Sequence, residues 1–137
     1  MTTEPLPPDS VEGIILLAPS VSAGYDIRPA LRCSRRGVEV FHSRRDFSHL
    51  TVAMFVLGTS DRKRGSVAGK VGFRLPETAS AEDASLYSRL HQHAWHEGLL
   101  STGHDGGHFG TYQPDFMRSF VLPLIVPPPE TQLSARP

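Results

Sequence analysis

The sequence predicts an α/β fold, a sheet of about three parallel strands with flanking helices. Two apolar runs, 14–18 and 38–41, are the first indication, and the first of them is apolar at every position. Such runs are typical of strands buried on both faces, as in a parallel sheet covered by helices. Segments with helical spacing lie between and after these runs, so strands and helices alternate along the chain.

The first strand is expected at residues 14–18 and the second at 38–41. Between them, Asp26 can cap a short helix that runs through Leu31. Gly37 then breaks the chain before the second apolar run. The first part of the chain therefore has the order strand, helix, strand.

A later helix is predicted to begin at Ser80, because Ser80 and Asp83 have the spacing of a helix start. Residues at helical spacing follow it: Ala84, Tyr87, Leu90 and His91. Residues 95–101 are short and partly apolar, and we expect them to form the third strand.

Pro114 suits the first turn of a final helix. Pro123 is expected to distort that helix near its end. One apolar stripe is predicted along it: Phe116, Phe120, Val121 and Leu124.

The ordered domain is predicted to be residues 13–126. The flanking segments 1–12 and 127–137 are proline-rich and polar, which is typical of disordered tails. An insertion at about 47–75, centred on 54–73, is expected to form a lid or flap. Its glycine-rich and basic part, 58–73, has no periodicity and is expected to be an exposed loop.

The composition excludes several classes of function. Fourteen basic and fourteen acidic residues give a formal net charge of zero, so no overall field favours nucleic acid or an anionic membrane. The apolar runs are far shorter than the ~20 residues of a membrane helix. The single cysteine, Cys33, cannot form an internal disulfide, and a partly buried, inert thiol is expected. With no signal peptide at the start, the sequence predicts a cytoplasmic chain.

Asp46 and His108 are the candidate catalytic residues. Asp46 lies five residues beyond the second apolar run, and His108 lies in Gly103-His104-Asp105-Gly106-Gly107-His108-Phe109-Gly110, beyond the third predicted strand. Loops at the carboxyl ends of parallel strands open on one edge of the sheet. A general base needs one ring nitrogen fixed by an ionised carboxylate, which Asp46 can supply to His108.

These motifs resemble the C-terminal half of the α/β-hydrolase fold. Residues 14–22 resemble its sixth strand, 38–46 its seventh strand with the acid turn, and 106–109 the loop that carries the base. Residues 116–125 resemble its last helix. The resemblance implies that Asp46 is the acid and His108 the base of a serine hydrolase acting on an ester or amide. His108 follows Asp46 by 62 positions (108 − 46), which is longer than the usual short helix and strand between acid and base. The additional residues are therefore predicted to form the lid.

The nucleophile of such a hydrolase is missing, because the sequence has no Gly-x-Ser-x-Gly elbow. Ser22 is the one local candidate, and it is weak because no glycine leads it. We therefore expect the isolated chain to be inactive, with a small ester or amide substrate bound only when an N-terminal half completes the fold. An exposed sheet edge next to the missing strands predicts self-association.

Two other kinds of function are considered. A non-catalytic binding or assembly module could use the open sheet edge and the basic loop. A small metal-binding protein could use the histidine-rich segment, but its spacing matches no zinc motif, so no metal and no cofactor is predicted. The candidate ligands were His91, His93, His96, Glu97, His104, Asp105 and His108. A phosphate loop at 65–71 fails, because only three residues separate its glycines and Val71 replaces the Ser or Thr.

Overall fold

A computed structural model describes residues 6–46, 66–76 and 80–126 of the 137-residue chain. In these ranges three strands form one parallel sheet: β1 (Ile14–Leu17), β2 (Val38–His42) and β3 (Leu90–Ala94), in the order β1-β2-β3. The register pairs Ile14 with Val38 and Val38 with Leu90. The predicted α/β class, with three parallel strands and flanking helices, is confirmed.

The helices of the described ranges are short. They are α1 (Arg28–Cys33), α2 (Ala68–Val71) and α3 (Ala81–Tyr87), followed by two 3₁₀ turns, Glu97–Thr102 and Gly110–Tyr112. A last helix then has three contiguous segments: Pro114–Phe116, a π-helical turn Met117–Val121, and Leu122–Ile125.

The two faces of the sheet pack against different helices. On one face, α1 and α2 cover β2, and the core contains Ile27, Leu31 and Val40. Ile27 and Leu31 are fully buried, and each such side chain contributes about 1.5–3 kcal/mol through removal from water. On the other face, Phe116 of the last helix packs edge-on against Phe41 of β2, with 5.5 Å between ring centroids. The sheet is therefore covered on both sides near β2.

The third strand differs from the prediction. It is Leu90–Ala94, whereas the segment expected to be the strand, 95–101, mostly forms a 3₁₀ turn. The helix that begins after Ser80 ends at Tyr87, so Leu90 and His91 belong to β3. The sequence of β3 lacks the apolar run that predicted β1 and β2. The reason is that β3 lies at an edge of the sheet and the side chains from His91 to Ala94 are exposed.

The observed starts of the helices agree with the predicted ones more closely than the third strand does. Ser80 and Asp83 form a capping box, in which each side chain accepts a hydrogen bond from the other residue's backbone N–H. Asp26 lies two residues before α1 and accepts from the backbone N–H of Arg28, while Ile27 holds the cap position. Pro114 begins the last helix, as predicted.

The stripe on the last helix is only partly buried. Phe116 and Val121 are buried, but Phe120 is 40% exposed. The π-helical turn directly precedes the segment that contains Pro123. Proline has no N–H to donate to the preceding turn, and its ring crowds the carbonyl four residues earlier. A wider turn at this point relieves that conflict and rotates the stripe.

Part of the predicted N-terminal tail is bonded to the domain. The N–H of Asp9 donates to the carbonyl of Arg32 and that of Val11 to the carbonyl of Cys33, each at 3.0 Å. Residues 9–12 therefore lie along the end of α1, in contrast to the expected tail at 1–12. The tail at 127–137 and residues 47–65 of the predicted lid fall outside the described residues. The expected exposed loop is wrong for its described part, because residues 68–71 form α2 and Ala68 and Phe73 are buried in the core. No helix in the described ranges is long and apolar enough to span a membrane.

Candidate active site

Asp46 lies in a turn just beyond the carboxyl end of β2. The turn is closed by the N–H of Asp46, which donates to the carbonyl of Ser43 at 3.1 Å, and by the Ser43 hydroxyl, which accepts from the N–H of Arg45. Ser43 is itself held by a bond from its N–H to the carbonyl of Gly69. Asp46 is 6% exposed, so its carboxylate is fixed in a nearly dry position.

Arg45 holds this turn against the segment that follows β3. Its guanidinium lies over the Trp95 ring, 4.4 Å from the ring centroid, and approaches the Glu97 carboxylate at 3.4 Å. The backbone N–H of Trp95 donates to the carbonyl of His42 at 2.8 Å, which extends the pairing of β2 and β3. The acid turn and the start of the base loop are thereby kept in register.

The base loop is organised around a second histidine, His104. Its side chain is 3% exposed, and burial lowers its pKa more than the nearby Asp105 carboxylate raises it. Its Nδ1 accepts from the N–H of Gly106 at 3.2 Å, so the proton of the neutral ring is on Nε2. The Trp95 indole N–H donates to the His104 carbonyl at 2.9 Å. His104 was only a candidate metal ligand in the sequence, and its role here is to fix the loop.

Gly106 allows the loop to approach the acid turn. Its φ is +90°, and a Cβ at this position would lie 3.0 Å from the Cβ of Arg45 and 3.2 Å from the Ser43 hydroxyl oxygen. Only glycine adopts this backbone conformation without strain. The close contact brings His108, two residues later, to Asp46.

His108 and Asp46 are in direct contact. The distance from His108 Nδ1 to Asp46 Oδ2 is 2.9 Å, and the two side chains are 22% and 8% exposed. Because a carboxylate can only accept, the bonding proton lies on Nδ1. In the neutral ring Nε2 is then a free base. The expectation that the two side chains lie within hydrogen-bond reach at the carboxyl edge of the sheet is confirmed, while their catalytic role stays a prediction.

Ser22 occupies a buried position on the segment after β1. It is 5% exposed and forms an isolated antiparallel bridge with Val67, the residue before α2. A substrate carbonyl cannot reach a buried hydroxyl unless the segment opens. Cys33 is fully buried, more completely than the partly buried thiol that the sequence predicts, and its thiol donates to the carbonyl of Ala30.

Apolar side chains are exposed beside His108. The Phe109 ring meets the His108 ring edge-on at 5.4 Å between centroids, and Phe109 is 73% exposed. Tyr112 is 55% exposed, and its ring centroid lies 6.5 Å from that of Phe109. The His108 ring therefore adjoins an apolar surface, which is suited to the acyl or alkyl part of a substrate.

A second carboxylate–histidine group was missed in the sequence. Glu39 accepts from His91 Nδ1 through one oxygen at 2.7 Å and from His93 Nε2 through the other at 2.6 Å. Burial raises the pKa of Glu39, but the hydrogen bonds from His93 and His91 lower it by more, so it lies below its ordinary value. The alternation of β2 and β3 would have revealed this group had β3 been placed correctly, since all three residues share one face.

The remaining candidate ligands are dispersed. Glu97 approaches Arg45, Asp105 accepts from the N–H of Gly107, and His96 precedes a 3₁₀ turn. Across the described ranges, no three His, Cys, Asp or Glu side chains are grouped to hold a metal ion.

Comparisons with protein-family models, with curated proteins and with solved structures gave no match to this chain.

Proposed function

We propose that this chain is the C-terminal part of an α/β-hydrolase-like ester or amide hydrolase, in which Asp46 is the acid and His108 the base. The observation that carries the proposal is the 2.9 Å hydrogen bond between His108 Nδ1 and Asp46 Oδ2. It joins two residues 62 positions apart at the edge of the sheet where parallel strands end.

The geometry suits general base catalysis. The buried carboxylate orients the ring and stabilises the imidazolium that forms when Nε2 takes a proton from an attacking hydroxyl. The ring is partly exposed, so a hydroxyl and a substrate can approach Nε2. The exposed Phe109 ring beside it supplies an apolar surface for the substrate.

In this proposal the nucleophile is a serine supplied by a segment outside residues 1–137. The sequence contains no Gly-x-Ser-x-Gly, and Ser22 is 5% exposed. We therefore expect the isolated chain to hydrolyse short acyl esters no faster than buffer and to remain unlabelled by a fluorophosphonate. Stoichiometric labelling at Ser22 would instead make this chain a complete hydrolase.

The acid–base pair is tested by NMR of the histidine ring nitrogens. We expect the neutral His108 ring to carry its proton on Nδ1, and Asp46→Asn to disturb this tautomer, because an amide can donate as well as accept. Asp115→Asn is the matched control, since Asp115 is 71% exposed and lies on the last helix. A tautomer that is the same in both variants would contradict the proposed role of Asp46.

Catalysis is tested with a longer protein, expressed from the gene for this chain together with the coding sequence that precedes it in frame. If that sequence supplies a nucleophile elbow, the product should hydrolyse p-nitrophenyl butyrate, and His108→Ala or Asp46→Asn should lower kcat by about 10³- to 10⁴-fold. An active product that keeps its rate without His108, or a preceding sequence without an elbow, would overturn the proposal.

A further inference from the structure

A cavity of about 440 Å³ lies at the opposite end of the sheet from Asp46 and His108, where the strands begin. One part of its wall is apolar and comes from β1 and the last helix: Ile14, Ile15, Leu124 and Ile125. The other part is charged or polar: Glu12, Arg36, Glu39 and His91. An apolar cavity of this size with a few polar groups is typical of small-molecule sites.

The charged side chains in the wall differ in their partners. Glu12 approaches the Arg35 guanidinium at 3.6 Å, and Glu39 accepts from both His91 and His93. Arg36 has no carboxylate partner among the residues that the structure describes. Its guanidinium donates instead to the carbonyl of Leu124, at 3.4 Å, which holds it beside the apolar wall.

We propose that this cavity binds a small amphipathic carboxylate, with the carboxylate on Arg36 and the alkyl chain on Ile15 and Leu124. A planar guanidinium suits a carboxylate, because two parallel N–H groups can donate to its two oxygens. A protonated amine would be repelled by Arg36. A phosphate ester would bring more negative charge close to Glu12 and Glu39, which favours the singly charged head group.

Calorimetric titration of the full chain with octanoate tests this site. We expect 1:1 binding that weakens by about fourfold for each methylene removed in hexanoate and butanoate, since each buried methylene contributes a similar amount. Octan-1-ol has the same chain without the charge, and it should bind at least about tenfold more weakly. Equal binding of octanoate and octan-1-ol would overturn the assignment of the head group to Arg36.

Two neighbouring arginines provide matched variants. Arg36→Gln should weaken octanoate binding about tenfold or more. Arg35→Gln should leave it within about twofold, because Arg35 is not part of the cavity wall and is 64% exposed, so its ion pair with Glu12 contributes little. Both residues are exposed, so both variants should keep the wild-type circular dichroism spectrum. Equal effects of the two substitutions, or no octanoate binding at millimolar concentration, would refute the site. The result does not depend on hydrolase activity at Asp46 and His108.

Discussion

His104 and His108 lie four residues apart and yet have opposite hydrogen-bonding roles. His104 is buried, and its Nδ1 accepts from the N–H of Gly106. His108 is partly exposed, and its Nδ1 faces the Asp46 carboxylate as the donor. The first ring therefore shapes the loop as a neutral acceptor, and the second presents a free Nε2. Surroundings, and not residue type, distinguish the structural histidine from the candidate base.

Gly106→Ala is expected to separate the acid from the base. The added Cβ would meet the Arg45 side chain at 3.0 Å, and the left-handed backbone costs an L-residue about 1–2 kcal/mol. We expect the free energy of unfolding to fall by at least about that amount, and the NMR signature of the His108–Asp46 bond to weaken.

Gly24→Ala is the control for this substitution, because among the described residues, its two chain neighbours aside, no atom lies within 4 Å of a Cβ at that position. Its effect on urea unfolding should be neutral or slightly stabilising. If Gly106→Ala and Gly24→Ala left the His108 signal equally intact, the close approach at Gly106 would not be what positions the base.

Glu39→Gln is expected to lower stability in a pH-dependent way. The pKa of Glu39 lies below its ordinary value of 4.5, so the folded state favours the ionised form. Its contribution is therefore complete above the unfolded pKa and is lost as the pH falls through the folded pKa. At neutral pH we expect a loss of about 1 kcal/mol, measured by urea unfolding, that disappears well below pH 4.5.

Glu97→Gln is the comparison for Glu39, since the Glu97 side chain is 78% exposed in its ion pair with Arg45. Exposed pairs contribute little, so its effect should stay within about 0.5 kcal/mol at either pH. If Glu39→Gln lowered the free energy of unfolding equally in acid and at neutral pH, the effect would come from packing and not from charge.

At the scale of elements, the cap of α3 is the clearest local signal. Ser80 accepts from the N–H of Asp83 and Asp83 from the N–H of Ser80, each at about 3 Å. Ser80→Ala should destabilise the chain by about 1 kcal/mol in urea unfolding. Ser85→Ala, an exposed position inside the same helix, should be neutral or slightly stabilising, because alanine is the better helix former. Equal losses would mean that the capping box does not hold α3.

Elements whose residues carry their own signal could be predicted. Apolar runs indicated β1 and β2, Ser80 with Asp83 indicated the start of α3, and Pro114 indicated the start of the last helix. The third strand could not be predicted, because β3 is held by backbone pairing with β2 while His91 and His93 remain exposed. Long-range pairing, which periodicity does not report, decides such a strand.

The same limit applied to the candidate site. Asp46 and His108 could be paired because both lie beyond the carboxyl ends of strands, an edge common to all strands of a parallel sheet, although β3 ends at Ala94, well before His108 and earlier than predicted. Glu39 could not be assigned to His91 and His93, because that grouping depends on the register of β2 with β3. His104 gave no signal either, since its role depends on burial and on the N–H of Gly106.

At the scale of the whole molecule, the two edges of the sheet are unequally protected. On β3, exposed His91, Gln92 and His93 present polar side chains, which disfavours pairing with another chain. On β1, all four residues are apolar and half-buried. The N–H of Ile14 donates to the carbonyl of Gly37, just before β2, and that of Ala18 to the carbonyl of Phe41 in β2, so by alternation those of Ile15 and Leu17 point outward. Within the described ranges, no strand pairs with this outer side.

An apolar edge of this kind is a template for strand pairing, so we expect the chain to self-associate at micromolar concentration. Ile15→Lys should reduce the light scattering, because a charge at the edge opposes pairing of two copies while the lysine stem still covers apolar surface. Leu100→Lys adds the same charge on an exposed residue away from the sheet, where Leu100 is 52% exposed, and should leave association unchanged. Equal suppression by both variants would point to net charge and not to the edge, and a monomeric wild-type chain would show that β1 is protected by other means.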